Sequence, residues 1–411
     1  MENSRANHPL PSPQSSSGTV HRWKVLGATF LTYLVQSYAL IVLAIAMPVL
    51  LKVLNISLPE GGLLGSATMV GAIMGSVIFG LIAENRGRRF ALVLVMVWLG
   101  VAMGSVYLAK TWGHWMILRF LTGLAVGGVW GPNAALIAAH WAPHHRARAA
   151  SFMLSSFSIG AVFASFVGWV VLDLDWRFLF LIGTASILLA WAVARLVPPD
   201  EGRPLSPGRE KRSIGIGAIF VPSLIRTTIL SSLVSFALLA GYWGAALWIP
   251  TFLTKERGLS LTMMANFSLV MYGGMFIGFQ FFGVLADRIG RRRSIIASFL
   301  TVAAAIALYI FLHHPLFLFW WGIVVGFGLS GGSGVLGAYF AELFPEELRA
   351  YASGFCWNVG RIGAVMAPYT IGYIGKVYGL QTGLALTCLI NLIGALVILA
   401  MPETFRGKSP S

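Results

Sequence analysis

Asn358 and Arg361 stand one helical turn apart inside "FCWNVGRIGAVMAPYTIGYI", residues 355–374, a run otherwise apolar enough to lie in a bilayer. A guanidinium at bilayer depth costs about 3 kcal/mol on insertion scales. It also offers a planar fork of donors that grips a carboxylate through two hydrogen bonds. Arg361 falls about 18 Å into its span at 1.5 Å per residue, too deep to snorkel to the headgroups. None of the chain's 14 Asp and Glu residues falls mid-span. Arg361 thus has no carboxylate at its own depth, and the simplest counter-ion is an anionic cargo.

Other side chains can share that depth. Tyr33, Gln36 and Ser37 lie on one face of the first span, at i, i+3 and i+4. The fourth span carries Trp130 and Asn133, the seventh Tyr242 and Trp243, the eighth Gln280, and the eleventh Trp357 beside Asn358. Aromatic walls with a few polar groups suit a small organic ligand. Singly, each of these residues is as well explained by packing. His140 and Glu342 are titratable groups near span ends, and an imidazole titrates near neutral pH. Arg119 sits about one and a half turns inside the end of its span, close enough to snorkel. "GLSGG" at 328–332 and "GSGVLG" at 332–337 match hydrolase and dinucleotide patterns. Both patterns need a strand–turn–helix setting, and here they lie in an apolar helix. Cys356 and Cys388 fall in apolar spans and have neither disulfide-framework nor zinc spacing. No enzyme, cofactor or metal is expected.

The elements that must hold these residues are membrane helices. The 411 residues are 57% hydrophobic and 10% charged, with mean hydropathy +0.80. Soluble domains carry about 25% charged residues. Twelve apolar runs, many near the length of about 20 residues that spans a bilayer, fall at roughly 24–50, 62–83, 91–109, 114–138, 149–172, 177–196, 227–253, 264–286, 294–312, 316–340, 350–375 and 379–400. The fold class is all-α, with twelve transmembrane helices in two six-helix pseudo-repeats. Residues 1–21 read as a disordered tail without signal-peptide character, 22–196 as one bundle, 197–217 as a linker, 218–401 as the second bundle and 402–411 as a tail. The net charge of +15 points to the positive-inside pattern and not to nucleic acid. Of the 29 Lys and Arg residues, 21 fall on the side of the termini and 6 on the other. Both termini are therefore expected in the cytoplasm of a multi-pass inner-membrane protein that contacts lipid and works as a monomer.

The halves repeat at an offset of 202–203 residues. "GLIAENRGRR" from Gly80 recurs as "GVLADRIGRR" from Gly283, Pro48 matches Pro250, and "HWAP" from His140 matches "ELFP" from Glu342. The partner of Arg361 in the repeat is Ser158, so the arginine is no scaffold feature. Parallel repeats of this kind belong to transporters that rock two halves about a central site. The two loop signatures resemble those of the major facilitator superfamily, and the resemblance covers the chain from residue 22 on. It implies a latch of Glu84 with Arg88 and Asp287 with Arg291, though Glu84 stands where Asp is usual.

Span 4, "RFLTGLAVGGVWGPNAALIAAHWAP", and "GRIGAVMAP" in span 11 resemble the aromatic-acid and organic-anion proton symporters. That resemblance implies import of an aromatic or other monocarboxylate with a proton, a functional arginine at 361, and coupling through Arg119, His140 and Glu342. Two departures stand out. Gln36 and its neighbours occupy the place of the usual aspartate in span 1, and His140 replaces a glutamate. A drug or metabolite efflux antiporter is the alternative, but helix 5 lacks the Gly-Pro pattern typical of that group. A non-transporting sensor is a third class, disfavoured by tails too short for a signalling domain.

Overall fold

The computed structural model describes residues 16–141, 143–199 and 216–404. These residues are almost wholly helical: α1 (Ser16–Val53), α2 (Leu58–Arg86), α3 (Arg88–Gly104), α4 (Trp112–His140), α5 (Pro143–Val171), α6 (Phe178–Gly183), α7 (Ser186–Leu196), α8 (Ile225–Lys255), α9 (Leu261–Ile289), α10 (Arg291–Tyr309), α11 (Pro315–Leu343), α12 (Arg349–Tyr378) and α13 (Leu380–Leu399). Helices α6 and α7 together make the sixth span, interrupted at Thr184–Ala185. The twelve expected spans are therefore all present. Eleven of them are long and apolar enough to cross a membrane on composition alone. The twelfth, α12, carries Arg361. The first helix begins at Ser16, so residues 16–21, expected in a disordered tail, are helical. Residues 1–15, most of the expected linker and the end of the second tail lie outside the described residues.

The repeat has a physical form. At the α2–α3 turn Gly87 has φ 95°, and at the α9–α10 turn Gly290 has φ 106°. Only glycine takes that backbone region without strain, which explains its place in both loop signatures. Within each half, small residues let two helices touch backbone to backbone. A Cβ at Gly127 of α4 would stand 2.0 Å from the Ala72 carbonyl oxygen of α2. In the second half a Cβ at Gly326 of α11 would stand 1.7 Å from the Met271 carbonyl oxygen of α9.

The halves meet through α2 against α12, α5 against α9 and α1 against α8. The Ser66 hydroxyl donates to the Val365 carbonyl at 2.6 Å, and Thr262 bonds Asp173. These contacts lie towards the end of the bundle that carries Glu60 and Glu256. At that end the Glu256 carboxylate accepts the Leu380 and Gln381 N–H groups, capping α13. The opposite end holds the loop signatures. There Arg291 pairs with Asp287, and its Nε lies 3.3 Å from Glu342. Arg88 donates to the Ala135 carbonyl at 3.1 Å, and Arg89 to the Ala194 carbonyl.

Candidate functional site

Arg361 lies on the face of α12 that continues to Val365, where the chain touches α2. Its Nη1 donates to the Asn358 Oδ1 at 3.3 Å, so the two residues act as one unit at i and i+3. Arg361 is half-buried and Asn358 exposed. Across the seam, Tyr33 of α1 lies within electrostatic reach of the guanidinium. Among the described residues no carboxylate pairs with Arg361. The fork is thus held by an amide and faced by a phenol, with donors left for a guest.

Rings extend from that point. Tyr33 stands 6.1 Å from Phe157 of α5, Phe157 stands 6.3 Å from Tyr242 of α8, and Tyr242 stands edge-on to Trp243 at 5.0 Å. Phe157 is absent from the sequence-based set, and so is Tyr272 of α9, which lies within electrostatic reach of Tyr242. Both sit in apolar runs rich in aromatics, and nothing in their local spacing separates them from packing residues. Gln36 is 8% exposed, and its Oε1 has no hydrogen-bond partner. A planar anion could put its carboxylate on Arg361 and its body among these rings.

The other expected site residues have varied settings. Asn133 is fully buried, and its amide is consumed by α1. Its Nδ2 donates to the Thr29 carbonyl at 3.3 Å and to Thr32 Oγ1 at 3.0 Å, while the Thr32 hydroxyl donates to the Thr29 carbonyl at 3.0 Å. It packs α4 on α1 and does not join the Arg361 group. Trp130, one turn earlier, is 52% exposed. Gln280 is exposed. Trp357 is half-buried and packs against both large apolar clusters of the protein.

Arg119 does not snorkel. It is 1% exposed, with its guanidinium over the rings of Phe180 at 5.2 Å and Trp115 at 6.0 Å. Its Nη2 donates to Thr122 at 3.2 Å, while Nε and Nη1 have no partner. It is therefore a second buried cation, held by aromatic faces inside the first half. His140 and Glu342 occupy matching helix ends but different settings. The His140 Nδ1 lies 3.0 Å from the Leu136 carbonyl of its own helix. Glu342 joins the Asp287–Arg291 ion pair and accepts the Thr404 hydroxyl at 2.5 Å.

Two six-helix halves, a seam between them and polar groups near mid-span are the architecture of a membrane transporter. Residues 28–281 and 232–411 match the family model of the Major Facilitator Superfamily, and the chain belongs to that family. It is 29% identical to a putative metabolite transport protein of Haemophilus influenzae over 94% of this chain and 97% of that one. It is 27% identical to the cis,cis-muconate transport protein of Acinetobacter baylyi, over 87% of this chain and 88% of the relative. A solved D-xylose-proton symporter superposes with TM-score 0.78 at 16% identity, covering 93% of this chain and 98% of that one.

Proposed function

We propose that the protein imports a small organic anion, an aromatic or other conjugated carboxylate, across the inner membrane by alternating access. The observation that carries this is Arg361: a half-buried guanidinium near mid-span, bonded only to Asn358, faced by Tyr33 and paired with no carboxylate among the described residues. A mid-membrane cation is expensive unless a counter-charge visits it, and a carboxylate fits its fork. The aromatic series Tyr33, Phe157 and Tyr242 gives a planar cargo apolar faces to rest on. The muconate transport protein, itself a carrier of a conjugated acid by name, supports the same chemistry.

A proton is the proposed co-substrate. Among the described residues no carboxylate pairs with Arg361, so coupling is assigned to the ends of the helices. There Glu342 can trade its contact with Arg291 for a proton as the latch opens, with His140 as its counterpart at the matching helix end and Arg119 as a further coupling residue buried inside the first half. Both termini are assigned to the cytoplasm, which puts the Asp287–Arg291 and Glu84–Arg88 latches on that side and the Ser66–Val365 contact on the outer side.

Thermal melting of the purified protein against a panel of ligands tests the cargo class. A ligand that binds only the folded state stabilises it by about 2.7 kcal/mol at 100 times its Kd. Aromatic carboxylates are expected to raise the melting temperature, and neutral sugars or organic cations are not. Stabilisation by sugars or cations alone overturns the proposal.

A further inference from the structure

Tyr272 of α9 is 1% exposed, and its hydroxyl has no hydrogen-bond partner. Native chains rarely leave a buried hydroxyl unpaired, because it forfeits its bonds to water. Nearby Tyr242 of α8 is also buried, and its hydroxyl reaches only the Met275 thioether, at 3.8 Å. A thioether is a weak acceptor. Met275 follows Tyr272 by one turn on the same face of α9, so the two phenols converge on one stretch of that helix. Phe157 links Tyr242 to Tyr33 through ring contacts of 6.3 and 6.1 Å, and the Tyr33 phenol lies near the Arg361 guanidinium. The sequence Arg361, Tyr33, Tyr242, Tyr272 therefore passes from α12 through α1 and α8 to α9. It has a cation at one end and two underused phenolic donors at the other. If these positions served packing alone, phenylalanine would fill them without the cost of desolvating two hydroxyls.

We propose that the Tyr242 and Tyr272 hydroxyls form a second polar subsite, which selects cargo bearing an oxygen acceptor at the end opposite its carboxylate. The subsite presupposes that Arg361 holds the carboxylate. An aromatic acid with a distal hydroxyl or carbonyl then engages both ends and lays its ring among Tyr33, Phe157 and Tyr242. An acid without that oxygen leaves both phenols unpaired. Sites built to bond a hydroxyl reject the analogue lacking it far more strongly than apolar pockets reject a missing methylene.

The probes are 4-hydroxybenzoate and benzoate, bound to the purified full-length protein and followed by calorimetry. The wild-type protein is expected to prefer 4-hydroxybenzoate by about tenfold or more. Tyr272→Phe is expected to narrow that preference to about threefold or less, and to melt no lower than wild type without ligand, since it removes only an unpaired hydroxyl. Tyr242→Phe is the second variant and is expected to narrow the same ratio. A preference that survives both substitutions overturns the subsite. So does a wild-type protein that favours benzoate or binds neither acid. Arg361→Ala forms a separate arm: if it leaves both affinities intact, the carboxylate assignment fails, while the Tyr272 ratio still reads the distal subsite.

Discussion

Asn133→Ala separates two roles that one residue type can play in a membrane helix. Expected as a pocket residue, Asn133 is fully buried, and its Nδ2 bonds α1 at two points, of 3.0 and 3.3 Å. Interhelical hydrogen bonds in membranes are worth about 0.6 kcal/mol each on average, so the loss is about 1 kcal/mol. The Thr32 hydroxyl keeps its proton on the Thr29 carbonyl at 3.0 Å, so no hydroxyl is orphaned. The vacated amide leaves a small void, which brings the total to about 1–2 kcal/mol. Domains of about 150–250 residues lose about 2–4 °C per kcal/mol and longer chains less, so melting should fall by a few degrees. The assay is melting of the purified variant with and without a stabilising carboxylate. The baseline is expected to drop while the ligand-induced shift stays as in wild type. An unchanged baseline with a lost ligand shift would refute the packing role and return Asn133 to the pocket.

Three further substitutions probe the scaffold and the coupling. Gly127→Ala should destabilise strongly, because its Cβ would stand 2.0 Å from the Ala72 carbonyl, whereas Gly27→Ala, with nothing within 4 Å, should be neutral or mildly stabilising. Melting of the two variants side by side checks this, and equal effects would contradict close α2–α4 contact. Glu342→Gln should keep carboxylate binding and exchange but lose accumulation driven by a proton gradient, because the group that trades Arg291 for a proton is gone. Proteoliposome counterflow compared with gradient-driven uptake reads this difference, and undiminished accumulation would remove Glu342 from coupling.

The architecture was legible because eleven of the twelve spans are long and apolar and because Gly87 and Gly290 mark the same turn in both halves. Arg361 was legible because a charge in hydrocarbon has few innocent explanations. The surroundings of Arg361 were harder to read. Asn133 and Gln36 look alike as polar residues within apolar spans. Only the crossing of α1 and α4 turns one into a packing bond and leaves the other's Oε1 unpaired. Arg119 sat close enough to a span end to suggest snorkelling, yet Trp115 and Phe180 close over it. Phe157 and Tyr272 carry no local signal, since their neighbours come from other helices. The break at Thr184–Ala185 in the sixth span has no proline or glycine pair to announce it, although Gly183 precedes it.

The central claim, that Arg361 holds the carboxylate of the cargo, is tested most directly by uptake of a labelled stabilising carboxylate into proteoliposomes carrying Arg361→Ala. Removing one partner of a desolvated charge pair costs about 2–5 kcal/mol, or roughly 30-fold to several thousandfold in affinity. The account predicts that the variant inserts and melts like a folded protein, yet transports at background level. Arg361→Lys should restore only part of the activity, since an ammonium lacks the planar fork. Uptake by Arg361→Ala at the wild-type rate and affinity would contradict it.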